Sequence, residues 1–142
     1  MIYSLLPVYF HNEDVKLEVN SLELSTWINN AINSLDFLLG DLNVIFCSDE
    51  HLKEINIKYL NHDYYTDIIT FDYSEKTLIN GDLFISTDRI KENSTINKVK
   101  FMVELYRVII HGVLHLCGFN DKTSEEKKKI REKEDHFLSL IT

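Results

Sequence analysis

Residues 98–117 read KVKFMVELYRVIIHGVLHLC, and this segment decides how the chain is organised. Apolar side chains occupy most sides of a helix drawn through it, so it forms a buried helix. Its polar residues fall in one stripe, Glu104, Arg107, His111 and His115.

Working outward, residues 3–10 read as a first strand, rich in aromatic and aliphatic side chains. Leu24, Trp27, Ile28, Ala31, Ile32 and Leu35 then recur at spacings of three and four, an amphipathic helix. Asn20 and Glu23 supply a capping-box start, and Gly40 marks the exit. Leu42 to Cys47 is strand-like, and Ser48-Asp49 caps a helix with Leu52, Ile55 and Tyr59 on one face. After a polar, aromatic loop from Asn61 to Tyr65, Asp67 to Phe71 reads as a strand, and Gly81 opens another from Asp82 to Ser86. Beyond the buried helix, Thr123 and Glu126 form a second capping box. It starts a helix whose apolar stripe is Ile130, Phe137, Leu138 and Ile141. The order is β-α-β-α-β-β-α-α. It predicts one domain over residues 1–142 of α/β (α+β-like) class. A mixed, mostly parallel four-stranded sheet packs with four to five helices, and the chemistry sits at the end of a buried helix.

Composition agrees with a single globular unit. The 142 residues are 44% apolar and 11% aromatic, with one proline and four glycines, which excludes a disordered or low-complexity chain. No run approaches the roughly 18 apolar residues of a membrane span, and no basic region precedes the apolar N-terminus, so a soluble cytoplasmic protein without a membrane partner is expected. Cys47 and Cys117 are too few for a disulfide framework and fit a reducing compartment. Fifteen basic against twenty-three acidic side chains give a formal charge of -8. A field of that sign repels polyanions, so a nucleic-acid role requires a local basic patch or a bound metal ion.

Residues four apart share a helix face, so His111 and His115 can aim ring nitrogens at one point. Gly118 stops the helix, and the reversed chain brings Asp121 back past them. Two imidazoles, a carboxylate and a water complete a tetrahedral catalytic site with one open position. The expectation is one zinc ion per chain, another divalent transition metal being the alternative. A histidine pair four apart is weak by itself, since core histidines are common. The run from His111 through Gly118 to Asp121 is far more specific. Cys117 points to another face and packs in the core.

The spacing also resembles the metzincin metalloproteases. Their general-base glutamate falls here at Gly112, and both methionines, Met1 and Met102, lie upstream of where a methionine turn belongs. A closer resemblance is to the YbeY family, whose signature reads His-Gly-x-Leu-His-Leu-x-Gly-Tyr-Asp-His. Here the run is His111-Gly112-Val113-Leu114-His115-Leu116-Cys117-Gly118-Phe119-Asn120-Asp121. Upstream, Thr66-Asp67-Ile68-Ile69-Thr70-Phe71 is similar to that family's Thr-Asp-Val-Leu-Ser-Phe segment, Gly81-Asp82-Leu83 to its Gly-Asp-Ile strand start, and Glu104 also matches.

The resemblance implies a metal-dependent, single-strand-specific endoribonuclease. Its role would be maturation of ribosomal RNA (the small-subunit, 16S 3′ end) and ribosome quality control. The implied partners are ribosomal RNA and ribosomal proteins or ribosome-associated factors. Two departures stand out. The family's third ligand is a histidine where this chain has Asp121, and an arginine held to bind substrate phosphate is replaced by Leu60. Arg107, His62 and Lys58 are the candidate substrate-binding cations, with Arg107 alternatively bridging to Glu104. Lys127, Lys128, Lys129, Arg131 and Lys133 could touch substrate phosphates, but interleaved with Glu125, Glu126, Glu132 and Glu134 they read as a solvated helix face. Two other readings remain: a metal-dependent hydrolase of a non-RNA substrate, and a non-catalytic ribosome-assembly factor with a structural metal.

Overall fold

The structure is a computed structural model and describes residues 8–142. The expected first strand is seen as β1 (Tyr9–Asn12), and positions 3–7 of that expectation lie outside the described residues. The chain continues through α1 (Ser21–Ser34), β2 (Leu38–Cys47), α2 (Asp49–Leu60), β3 (Ile68–Asp72) and β4 (Leu78–Ser86). It ends in three helices, α3 (Thr87–Asn97), α4 (Phe101–Leu116) and α5 (Ser124–Leu138). The sheet order is β1-β2-β4-β3. β1, β2 and β4 run parallel, and β3 is the antiparallel edge. This is the mixed, mostly parallel sheet that the sequence predicts.

Alternation along the strands sorts the two faces. Leu39, Leu42, Val44 and Phe46 of β2, with Ile79, Leu83 and Ile85 of β4, join Ile28 and Ile32 of α1 and Ile109, Ile110 and Val113 of α4 in the main core. On the opposite face, Cys47, Leu52, Ile55 and Ile69 form a smaller cluster beneath α2, with Phe71 and Phe84 at its edge. α5 closes over α4 by burying Ile130, Phe137 and Leu138, and the Trp27 indole N–H donates to the Phe137 carbonyl at 2.8 Å, tying α1 to α5. All three expected N-caps are seen: the Asn20 and Ser48 side chains accept from the Glu23 and His51 N–H groups, and Thr123 with Glu126 forms the one full capping box of the three.

Three local expectations need correction. α3 is absent from the sequence reading because its only buried side chains are Ile90 and Ser94, too few to make an apolar stripe. Ser86 nevertheless caps it by accepting from the Arg89 N–H. Gly40 does not end α1. Asp36, at φ 66°, makes that turn, and Gly40 lies inside β2 where its register with β4 slips between Leu39 and Leu42. Tyr59 is not on the buried face of α2. It is 61% exposed and meets Phe71 edge-on.

Two close approaches set the depth at which α4 sits under the sheet. A Cβ on Gly112 would stand 2.7 Å from Ile68 Cδ1, and one on Gly81 would stand 2.7 Å from the Phe71 carbonyl oxygen and 3.0 Å from both Leu116 methyls. The Phe71 oxygen belongs to the paired strand β3 and cannot move without breaking its register. Gly81→Ala is therefore expected to lower stability by about 1–3 kcal/mol. The measurement is urea unfolding, with the midpoint falling at constant slope. An unchanged midpoint would mean the strand spacing does not constrain this position.

Candidate metal centre

Along the stripe on α4, Glu104 meets Asn97 of α3, Arg107 and His111 meet Glu134 of α5, and His111 and His115 face the turn that follows α4. Within the last turns of α4, His111 and His115 stand four residues apart, with ring centroids 4.5 Å from one another. Gly118 adopts φ 94°, a backbone conformation that side chains with a Cβ rarely take, and this bends the chain back. Asp121 thereby returns to the histidines. Its Oδ2 lies 3.4 Å from His111 Nε2 and 3.3 Å from His115 Nε2, and the two Nε2 atoms are 2.9 Å apart.

These distances fit a metal ion. A tetrahedral zinc with ligands about 2.0–2.1 Å away spaces them about 3.3 Å apart. Three donor atoms within 4.8 Å of one another, two imidazole nitrogens and a carboxylate oxygen, could hold such an ion. The structure thus brings together all three residues that the sequence proposed as ligands.

One residue escaped the sequence reading. Glu134 of α5 is 4% exposed, and its Oε2 lies 2.6 Å from His111 Nδ1. The carboxylate accepts the Nδ1–H, which leaves the Nε2 lone pair free and aimed at Asp121 and His115. Its other oxygen, Oε1, accepts from Arg107 Nη1 at 3.0 Å. The signal existed in the sequence: Glu134 stands four residues after Ile130 and four before Leu138, a carboxylate set into the apolar stripe.

Burial pulls the His111 pKa down, but the hydrogen bond and charge of Glu134, with Asp121 and Asp67, outweigh it and leave it raised. In the metal-free protein His111 therefore adds stability at pH below the ordinary histidine value, and this is lost as pH rises through the raised one. Asp67, at the start of β3, is pushed above the usual carboxylate range by burial, with the His111 charge working against it. Burial pushes the Cys47 and Cys117 thiols up to about 12, so neither is poised as a thiolate.

The candidate substrate cations fare differently. Arg107 lines the cleft beside His111 but is committed elsewhere than the sequence suggested. Its guanidinium pairs with Glu134 and, through Nη2 at 2.8 Å, with Asp135, instead of with Glu104. Glu104 is buried, and its Oε1 accepts from Asn97 Nδ2. Lys58 lies over the Tyr59 ring in a separate depression with His51 and Phe84. His62 stacks on Tyr64. Neither lines the cleft that contains His111 and Asp121, a space of about 540 Å³ walled by α4, α5 and Asp67. Lys127, Lys128 and Arg131 do line it, while staying exposed to solvent as the sequence predicts.

Comparison with known proteins now bears on the site. Residues 9–142 match the family described as endoribonuclease YbeY. The chain is similar to the endoribonuclease YbeY of Cytophaga hutchinsonii, 47% identical over 135 residues that cover 94% of each chain. It is 50% identical over 137 residues to that of Azobacteroides pseudotrichonymphae, covering 96% of this chain and 99% of the relative. Among solved structures it resembles the solution structure of TM1509 from Thermotoga maritima, with a TM-score of 0.65 and 27% identity over 92% of this chain and 86% of that one.

The donor geometry makes a direct prediction. His115→Ala and Asp121→Ala should each lose stoichiometric metal, Asp121→His should keep it, and Asp121→Leu should not, as read by metal analysis of the purified proteins. Glu134→Gln retains an acceptor but not the charge, so its metal affinity should fall about 10- to 100-fold. Equal metal content in the Leu and His variants would remove Asp121 from the ligand set.

Proposed function

The chain belongs to the endoribonuclease YbeY family, and on that premise we propose that the His111–His115–Asp121 group is the centre of a metal-dependent endoribonuclease acting on single-stranded RNA. The observation that carries this reading is the convergence, among the described residues, of three protein donors at the side of an open cleft. A structural metal would call for a closed set of four protein ligands, so the three-donor group favours the enzyme over a non-catalytic assembly factor.

Zinc is the proposed ion, one per chain. When bound there it acidifies its water and polarises a phosphoryl oxygen of the substrate. The chain's own groups do the rest. Glu134 fixes the tautomer and orientation of His111, and Arg107 holds Glu134 in place. Gly118 sets the turn that delivers Asp121. Asp67 and Glu104 give the inner wall of the cleft its carboxyl groups. Leu60, 43% exposed, does not line this cleft, so substrate phosphate is held by other side chains.

The proposed biological substrate is ribosomal RNA, processed at the 3′ end of the small-subunit 16S species in ribosome maturation and quality control, in the cytoplasm. Ribosomal proteins or ribosome-associated factors are the proposed further partners. Among the described residues no helix is long and apolar enough to cross a membrane.

The test is cleavage of an end-labelled single-stranded RNA beside the same sequence in duplex form. Wild-type protein should cut the single strand, lose the activity in excess chelator and regain it with added zinc. His115→Ala should fall by more than about 100-fold, because the ion's charge stabilisation amounts to several kcal/mol. Undiminished cleavage in chelator would overturn the metal-dependent reading.

A further inference from the structure

The cleft beside the histidines separates its charges into two zones. Asp67, Glu104 and Asp121 make its inner wall acidic, while Lys127, Lys128 and Arg131 line its outer wall. The outer wall is one face of α5. Lys127, Ile130, Arg131 and Glu134 recur at spacings of three and four and so share that face, with Lys128 flanking it. Ile130 and Glu134 are buried and seat the helix, whereas the three cations are exposed along the rim.

Ion pairing shows which of these cations are available. Arg107 is held by Glu134 and Asp135. Arg131 lies 3.8 Å from the Glu134 oxygen that Arg107 already occupies, and its side chain is 62% exposed, so that contact is weak. Lys127 and Lys128 take part in none of the ion pairs among the described residues. On a helix made soluble by alternating charge, lysines meet carboxylates three or four positions away. Lys127 has Thr123, Ser124, Ile130 and Arg131 at those positions, none of them acidic, and the nearby Glu126 is taken by the capping box with Thr123.

We infer that Lys127, Lys128 and Arg131 form a phosphate-binding rim, which holds the backbone of a single-stranded RNA along α5 and presents one phosphodiester to the His111–His115–Asp121 group. This rests on the reading of that group as an RNA-cleaving centre. Exposed ammonium groups on flexible stems recognise phosphates as point charges, without reading bases, which suits a strand of varied sequence. The acidic inner wall complements the rim by repelling phosphates from all but the metal itself.

The experiment measures the affinity of zinc-loaded protein for a short single-stranded oligonucleotide of 2′-O-methyl ribose across a series of salt concentrations, beside cleavage of the matching RNA. Loss of two phosphate contacts in the double variant Lys127→Gln/Lys128→Gln should reduce the salt slope by about 1.4, since each contact contributes about 0.7 on single strands. Its KM should rise roughly tenfold with kcat within about twofold, because the contact is made in ground and transition states alike. Lys127→Arg/Lys128→Arg should restore both values. Lys129→Gln makes the same charge change on the same helix, where the side chain lies against Gly118 and Asn120 outside the cleft, and should leave them unchanged. An unaltered slope in the double variant, or an equal loss in Lys129→Gln, overturns the rim. Cleavage by wild type with an unaltered slope in the double variant overturns the rim alone. A rim-dependent slope without cleavage by wild type supports the rim and overturns the nuclease reading.

Discussion

The architecture of the site depends on a single buried carboxylate. Glu134 is almost inaccessible to water, and a charge in that position is costly unless its oxygens are occupied. Arg107 takes one oxygen and His111 the other, both from α4. Removing Arg107 would leave a desolvated charge without its permanent counter-charge, at a cost of about 3–5 kcal/mol, and removing His111 would leave one buried oxygen without its donor, so the two contacts together hold α5 in place on α4. The same contact fixes the tautomer of His111 and hence the direction of its Nε2. Helix packing and ligand orientation are thus set by the same pair of hydrogen bonds.

That seating would be useless if α4 could slide beneath the sheet. Gly112 and Gly81 prevent it from opposite sides, because each lets backbone and helix come closer than a Cβ would allow. The antiparallel edge β3 contributes through the same contacts. Ile68 packs on Gly112 while the neighbouring Asp67 reaches the cleft, so the strand that closes the sheet also forms part of the site wall. Gly118 then converts the helix end into a return, Glu126 at the start of α5 accepts from the Lys122 and Thr123 backbone N–H groups, and Asp121 arrives within 3.4 Å of both imidazoles.

What was legible in the sequence follows from how local each cause is. The buried helix, the histidine pair, the stop at Gly118 and the return of Asp121 are all written within 24 residues, from Lys98 to Asp121, and periodicity finds them. The parallel strands could be read from the helices that intervene between them. α3 could not, since a helix held by its Ser86 cap and the side chains of Ile90 and Ser94 lacks a stripe. Gly40 misled because a glycine after an amphipathic run looks like a helix stop, while Asp36 carried the positive φ instead. Glu134 lies 23 residues from His111, and nothing local couples the two. Its one trace is a charge where Ile130 and Leu138 predict an apolar side chain. Lys58 and His62 are near Leu60 in sequence, but α2 and the loop after it hold them away from the cleft.

The net charge of -8 and a polyanionic substrate are compatible once charge is considered where it acts. Screening confines exposed charges to about 8–10 Å, so a strand entering the cleft responds to the groups lining it and not to the whole surface. Within that range the acids of the inner wall favour a cation, and Arg107 is neutralised by α5. Asp121 sharpens the point. If Asp121 is the third ligand, as proposed, its carboxylate carries a negative charge that a histidine would not, and the donor group with a divalent ion is less positive by one unit. Less attraction for phosphate is then available from the centre itself, and Leu60 offers none from α2. The balance has to come from cations that are near the centre yet unpaired. Within the cleft, the exposed face of α5 is where the fold supplies them.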